Sequence, residues 1–369
     1  MTPRVLHVME ALAGGTSRHL VDVVTHATGV DHEVAVPAMR VGQVPDETAL
    51  ERLKAAGAWI HLLPMRRTPW SPRNAESISR LIAIMRRRQP AIVHGHSSIG
   101  GLLGRLAGAA TDTPRVYTPN GVTQVRAGQL VERSLRRLTD RWVAVSQSEG
   151  ELAVRDRYAD PRSLVVVPNG IELEPPPPYD LHAHLGLHPS VPLIGTISRL
   201  TPQKAPLDFV AAAALLAHEV PDAHFVLIGG GEHRGRFDAA VEHSRLGKRL
   251  HHIESLPGAS AARPSLAVFV LTSRFEGGPY APLEAMRAGT PVVLTDVVGS
   301  RDAVVNGESG LLVPVGQPHA MADAIAGLLR DDSRRAAFAV AGRQRVRDHF
   351  DVAMMGARMS ELYLEITEA

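Results

Sequence analysis

Cysteine is absent from the 369 residues. Disulfides and thiolate metal sites are thereby excluded, and a reducing cytoplasm is the expected compartment. Lysine is scarce: only Lys54, Lys204 and Lys248 stand among the 40 basic residues. No apolar run approaches the ~20 residues of a membrane span, so any membrane contact is expected to be peripheral. The opening run Arg4–Val8 meets Glu10 too soon for a signal peptide and reads as a first strand. Repeats are absent, and low complexity is confined to Pro175–Pro178. There is no Gly-Lys-Ser/Thr phosphate loop and no Asp-x-Asp. A metal-held diphosphate, a resident cofactor and a nucleic-acid partner are therefore not expected.

The chain is 44% hydrophobic and 21% charged, an ordinary globular balance at a length suited to two cores. Its net charge of +2 is uneven. Residues 1–176 carry +5, residues 177–369 carry −3, and the window 66–162 carries +9. Two readings stand: solvated arginine-rich helices, or a surface that meets a phosphate-bearing acceptor or anionic lipid.

Short apolar runs alternate with helical patterns. Strands are expected at Arg4–Val8, Glu33–Val36, Trp59–Leu63, Ala91–His96, Val116–Pro119, Trp142–Ser146 and Leu164–Pro168. The second half adds Leu193–Ser198, His224–Gly229, His251–Glu254, Leu266–Thr272, Pro291–Thr295 and Gly310–Val313. Between them, Ile78, Leu81, Ile82 and Met85 form one helical stripe over 74–88. Alternating strands and helices predict parallel sheets covered on both faces. The fold class is α/β, with two doubly wound domains, 1–174 and 180–350, joined by the proline run and facing across a cleft. Ligands of such sheets sit at the carboxyl ends of the strands.

The richest segment is Ser273-Arg-Phe-Glu-Gly-Gly-Pro-Tyr-Ala-Pro-Leu-Glu284, followed by Gly289 and Pro291. Gly277, Gly278 and Pro279 form a loop, Pro282 suits a first helical turn, and Gly289 caps the end. Free amides near 279–283 make an anion site, flanked by Glu276 from the loop and Glu284 from the first turn. Carboxylates there suit sugar and ribose hydroxyls. Arg199 and Lys204 follow another strand and can hold a diphosphate as fork and point charge. Val226–Glu232 brings Gly230 to a strand end. Gly14 and Gly15, before Thr16 and Ser17 as helix caps, open a helix from about Arg18. His94 and His96 share one strand face without a third metal ligand in sight, and Asn120 ends a further strand.

Together these residues resemble the retaining glycosyltransferases of family 4, which have the two-Rossmann-domain GT-B fold. The resemblance runs in order through Gly14-Gly15, Val93-His-Gly-His96, Val167-Pro-Asn-Gly-Ile171, Ser198–Lys204, Ile228–Glu232, the Glu276/Glu284 pair and Asn306–Leu312. It implies a hexosyl transfer from a UDP- or GDP-sugar to a hydroxyl of a saccharide, lipid-linked glycan or natural product. Arg199 and Lys204 would bind the diphosphate, helped by amides of Gly278, Pro279-Tyr280 and Ala281. Glu284 would hold the ribose, Glu276 the sugar, His96 would touch the sugar, and Gly14-Gly15 would close over the phosphates. The last helix, 351–369, would cross back onto the first domain. Retention would follow front-face displacement, the departing diphosphate taking the acceptor's proton, with peripheral attachment at the inner membrane face. Gly277-Gly-Pro-Tyr replaces the usual Gly-Phe-Gly, Asn120 replaces a frequent His, and Asp302 replaces a Glu. The rival readings are a silent nucleotide-sugar-binding protein, a sugar-nucleotide epimerase and a glycan phosphorylase.

Overall fold

The computed structural model describes residues 2–37, 47–122 and 124–368. Residues 2–170 and 352–368 form one compact unit, and residues 171–351 form another. The proline run therefore lies within the second unit. Residue 369 of the expected closing helix lies outside the described residues.

The first unit holds strands β1 (Arg4–Met9), β2 (Asp31–Pro37), β3 (Trp59–Leu63), β4 (Ile92–His96), β5 (Arg115–Thr118), β6 (Arg141–Ala144) and β7 (Leu164–Val166). Their order is β3-β2-β1-β4-β5-β6-β7. The second holds β8 (Leu193–Ile197), β9 (His224–Ile228), β10 (Leu250–Ile253), β11 (Val268–Leu271), β12 (Val292–Thr295) and β13 (Leu311–Val313), in the order β10-β9-β8-β11-β12-β13. Every ladder is parallel. Each sheet reverses direction once, between β1 and β4 and between β8 and β11, and such a switch point opens a ligand crevice.

Alternation along β1 explains the layering. Val5 packs with Val23, Ile92, Met355 and Met359, while Leu6 and Val8 pack with Leu81, Met85 and Leu103. The helix Val352–Glu368 thus covers one face and the helices Pro72–Arg88 and Ser97–Thr111 the other. Burying one such side chain stabilises by ~1.5–3 kcal/mol. In the second unit Val268 and Val270 face Phe209 and Leu216, and Phe269 and Leu271 face Leu283 and Met286. Three helices start on proline, at Pro72, Pro206 and Pro318, where the missing N–H costs nothing.

One expected start is corrected. The first helix runs Gly14–His26, with Ala13 as an extended N-cap and no side-chain cap bond, so Thr16 and Ser17 are not caps. Gly14 adopts φ +69°, a turn open to glycine that lets the helix begin at once.

Candidate active site

In the second unit the loops after β8 and β11 are tied together. Thr272 Oγ1 donates to the Lys204 carbonyl at 2.9 Å, Arg274 N donates to the Gln203 carbonyl at 2.7 Å, and Gln203 Nε2 donates to the Phe275 carbonyl at 3.0 Å. These bonds bring Lys204 Nζ within 2.5 Å of Glu276 Oε1, which also accepts from Ser273 Oγ at 2.5 Å. Glu276 is buried; Lys204 keeps two N–H bonds for a ligand, and Glu276 Oε2 keeps its lone pairs. Arg199 is exposed, and among the described residues its side chain has no hydrogen-bond partner.

The glycine run after β9 serves this loop directly. A Cβ on Gly229 would lie 2.1 Å from the Ser198 carbonyl, and one on Gly231 2.6 Å from the Leu200 carbonyl. Leu200 N donates to the Gly230 carbonyl at 2.9 Å. The glycines make room for the backbone that carries Arg199.

Gly277 and Gly278 lead into the helix Tyr280–Arg287, whose N-cap residue Pro279 makes no side-chain cap bond. Gly289 follows at φ +79°, as the helix end requires. Glu284 is the fifth residue of this helix, so it stands in the second turn and not the first. From there its carboxylate meets Arg263 Nη2 at 2.5 Å. Arg263, in the 3₁₀ turn Ala259–Ser265 and 3% exposed, carries no motif spacing and was not legible in the sequence.

In the first unit Glu10, Gly14 and Gly15 follow β1, and His96 ends the neighbouring strand β4. Glu10 Oε1 accepts from Ser97 Oγ at 2.7 Å and its Oε2 from Gly100 N at 3.1 Å, tying the end of β1 to the helix after β4. Gly14 and Gly15 are exposed, and a Cβ on Gly14 would meet nothing within 4 Å. Asn120 adopts φ +55°, and its buried Nδ2 has no partner. The next amide, Gly121 N, donates to buried Glu149 Oε1 at 2.6 Å.

His94 and His96 do share one face, with ring centres 4.0 Å apart. The expectation of no third imidazole is corrected: among the described residues His7, His94 and His96 place ligand-type atoms within 4.8 Å of one another. Sheet register explains it, since His7 pairs directly with His94 across β1 and β4. Both His94 nitrogens are engaged, Nδ1 with the Tyr363 hydroxyl at 2.7 Å and Nε2 with Thr118 Oγ1 at 2.8 Å. Burial pushes the His19 imidazole down to about 4 and holds His7, His94 and His96 well below the ordinary value, with neighbouring rings adding to the effect.

The basic excess of 66–162 is partly neutralised locally. Arg105 pairs with Glu132, Arg115 with Asp140, Arg136 with Asp160 and Arg88 with Glu33. Arg67 and Arg73 are exposed on either side of Trp70, which is 85% exposed, and neither is paired among the described residues. Among the described residues no helix is long and apolar enough to cross a membrane.

Residues 13–175 match Glycosyltransferase Family 4, and residues 180–345 match Glycosyl transferases group 1. The chain is 31% identical over 307 residues to the D-inositol 3-phosphate glycosyltransferase of Xylanimonas cellulosilytica, covering 75% of this chain and 72% of that one. It is 28% identical to the UDP-Gal:alpha-D-GlcNAc-diphosphoundecaprenol alpha-1,3-galactosyltransferase of Escherichia coli, over 80% of each chain. Its fold is similar to that of Anabaena HepE crystallised with UDP and glucose, with a TM-score of 0.84 at 18% identity, over 98% of this chain and 100% of that one. With two parallel doubly wound sheets and these relatives, the chain belongs to the family 4 glycosyltransferases, as a hexosyltransferase of the GT-B fold.

Proposed function

We propose that the second unit binds a nucleoside diphosphate sugar at the β8–β11 switch point and that the chain transfers its hexose with retention, without a catalytic metal. The observation that carries this is the Lys204–Glu276 pair, 2.5 Å long, which joins the loops on either side of that point. Lys204 would meet the diphosphate while fixing Glu276 for a sugar hydroxyl, and Arg199 would add a second cation. Amides of Gly278, Tyr280 and Ala281, at the positive end of their helix, suit the leaving oxygen. Glu284, held by Arg263, is aimed at the ribose. In the first unit Gly14-Gly15, His96 and Asn120 are assigned to phosphate, sugar and acceptor. Front-face attack then needs only electrostatic stabilisation of the departing diphosphate, which takes the acceptor's proton. Both carboxylates already face a cation, an arrangement that disfavours their use as ligands of a divalent ion.

Uridine donors are the first probes, because the Escherichia coli relative is named for UDP-Gal and the Anabaena structure holds UDP. UDP-, GDP- and ADP-glucose are to be compared by thermal shift, and the best binder assayed for transfer in excess EDTA. Turnover that survives chelation is expected; turnover abolished by EDTA and restored by Mn²⁺ would remove the metal-independent reading.

The names of both relatives carry phosphate on the acceptor, which supports an anionic acceptor for the basic first unit. Arg67, Trp70 and Arg73 supply a peripheral contact with anionic lipid at the inner membrane face. Co-sedimentation with phosphatidylglycerol vesicles but not phosphatidylcholine vesicles is expected, with loss of binding in Trp70→Ala. Equal recovery with both vesicles, or full binding by the variant, would contradict it.

A further inference from the structure

Five histidines are buried in the first unit: His7, His19, His32, His94 and His96. Three form a chain of hydrogen bonds whose polarity is fixed at one end. His32 Nε2 lies 2.9 Å from the Ala27 carbonyl, which can only accept, so that nitrogen carries the proton. A neutral imidazole has one N–H, so His32 Nδ1 is an acceptor and takes the His7 Nε2 proton at 2.9 Å. His7 Nδ1 is then an acceptor in turn, and takes the His96 Nε2 proton at 3.0 Å. His96 Nδ1 is left as a bare lone pair, buried and without a partner.

The ring spacings agree with bonds made edge to edge. His7 stands 5.2 Å from both His32 and His96, centre to centre. A second lone pair lies near the first. His19 Nδ1 bonds Asn169 Oδ1 at 2.9 Å, its Nε2 is buried without a partner, and its ring centre is 5.7 Å from that of His96. A buried acceptor without a partner is unfavourable, and a ligand hydroxyl would satisfy it.

We propose that the chain Ala27 carbonyl–His32–His7–His96 locks His96 as its Nε2–H tautomer, so that His96 Nδ1 recognises only a substrate hydroxyl acting as donor. His7 and His32 are positioning residues in this scheme: they reach substrate through His96 alone. The inference rests on the reading of His96 as a contact to substrate, and it adds the direction of the bond. Burial keeps all three rings neutral, the condition under which the relay holds. A metal ion on His7, His94 and His96 would need lone pairs that the present bonds occupy at His7 and His94.

The test is imidazole nitrogen NMR on the whole chain, which reads the tautomer of each ring directly. Wild type at pH 7 should show His96 protonated at Nε2 and bare at Nδ1. His7→Phe removes the acceptor and should release that preference. Turnover of whichever of UDP-, GDP- and ADP-glucose binds best should then fall ~10–100-fold, with UDP affinity unchanged. His7→Asn places an amide oxygen near the position of Nδ1 and should restore both tautomer and rate. A wild-type His96 protonated at Nδ1, or stoichiometric zinc on these rings in the purified protein, would overturn the proposal without any variant. A tautomer unaltered by His7→Phe overturns the proposal alone and leaves the donor site standing. A released tautomer with an unchanged rate overturns it together with the contact assigned to His96.

Discussion

Lys204 has three N–H bonds and directs one at Glu276, a carboxylate 6% exposed that would otherwise lie buried beside Ser273 alone. Arg199, exposed, has no such tie among the described residues. If each cation faces charge developing on the diphosphate, as proposed, removing either should slow turnover by on the order of 10²-fold. Stability should separate them. Lys204→Ala strands Glu276 and should cost about 2 kcal/mol, less than the ~3–5 of a fully buried pair because the lysine is 17% exposed. Arg199→Ala should leave the melting temperature unchanged. Steady-state kinetics and thermal melts of both variants decide it; a stable Lys204→Ala would mean Glu276 needs no partner, and normal turnover in both would remove the diphosphate assignment. The carboxylates, the cations and the loop glycines were legible because each belongs to a motif contiguous in the chain. Arg263 was not, since a single arginine before β11 gains meaning only when Glu284 is found 2.5 Å away.

At the scale of elements, the glycines after β9 act on the loop after β8. Gly229→Ala and Gly231→Ala should each push the 198–200 backbone outward and weaken UDP binding by roughly 10-fold or more, without touching the nucleotide. Gly235→Ala is the control: a Cβ there meets nothing within 4 Å, it lies in the helix Arg234–His243, and it should bind normally. Titration with UDP reads all three, and an unaffected Gly229→Ala would show that the loop yields. The thirteen strands of the described residues were readable because buried parallel strands are nearly continuous apolar runs. What those runs cannot reveal is which strands are neighbours. His7, His32 and His94 stand far apart in sequence, yet the order β2-β1-β4 sets them on one sheet face, His7 opposite His94 and His32 opposite Val5.

For the molecule as a whole, the buried histidines make the first unit the acid-sensitive one. Below the ordinary value of 6.5 the unfolded chain binds protons that the folded unit refuses, so stability is full above pH 6.5 and declines as pH falls toward about 4. For His19 alone, at ~1.4 kcal/mol per unit, the loss by pH 4 is about 3 kcal/mol. In the second unit His224 and His251 are lowered too, but both are half-exposed and weigh less. Trp59, Trp70 and Trp142 all lie in the first unit, so tryptophan fluorescence reports on it alone. Its melting temperature should drop between pH 6.5 and 4.5 while amide exchange over 171–351 stays slow; equal loosening of both units would refute the assignment. The same unit has a further peculiarity: its chain leaves at residue 170 and returns only at 352. On the ribosome, Val5, Ile92 and Val116 therefore await the helix that brings Met355 and Met359 over them, for roughly 10–40 s at ~5–20 residues per second. The second unit, made in one stretch, can finish folding first. A nascent chain stalled before residue 352 would carry one folded half and one half with an uncovered apolar face, the species a chaperone would be expected to hold.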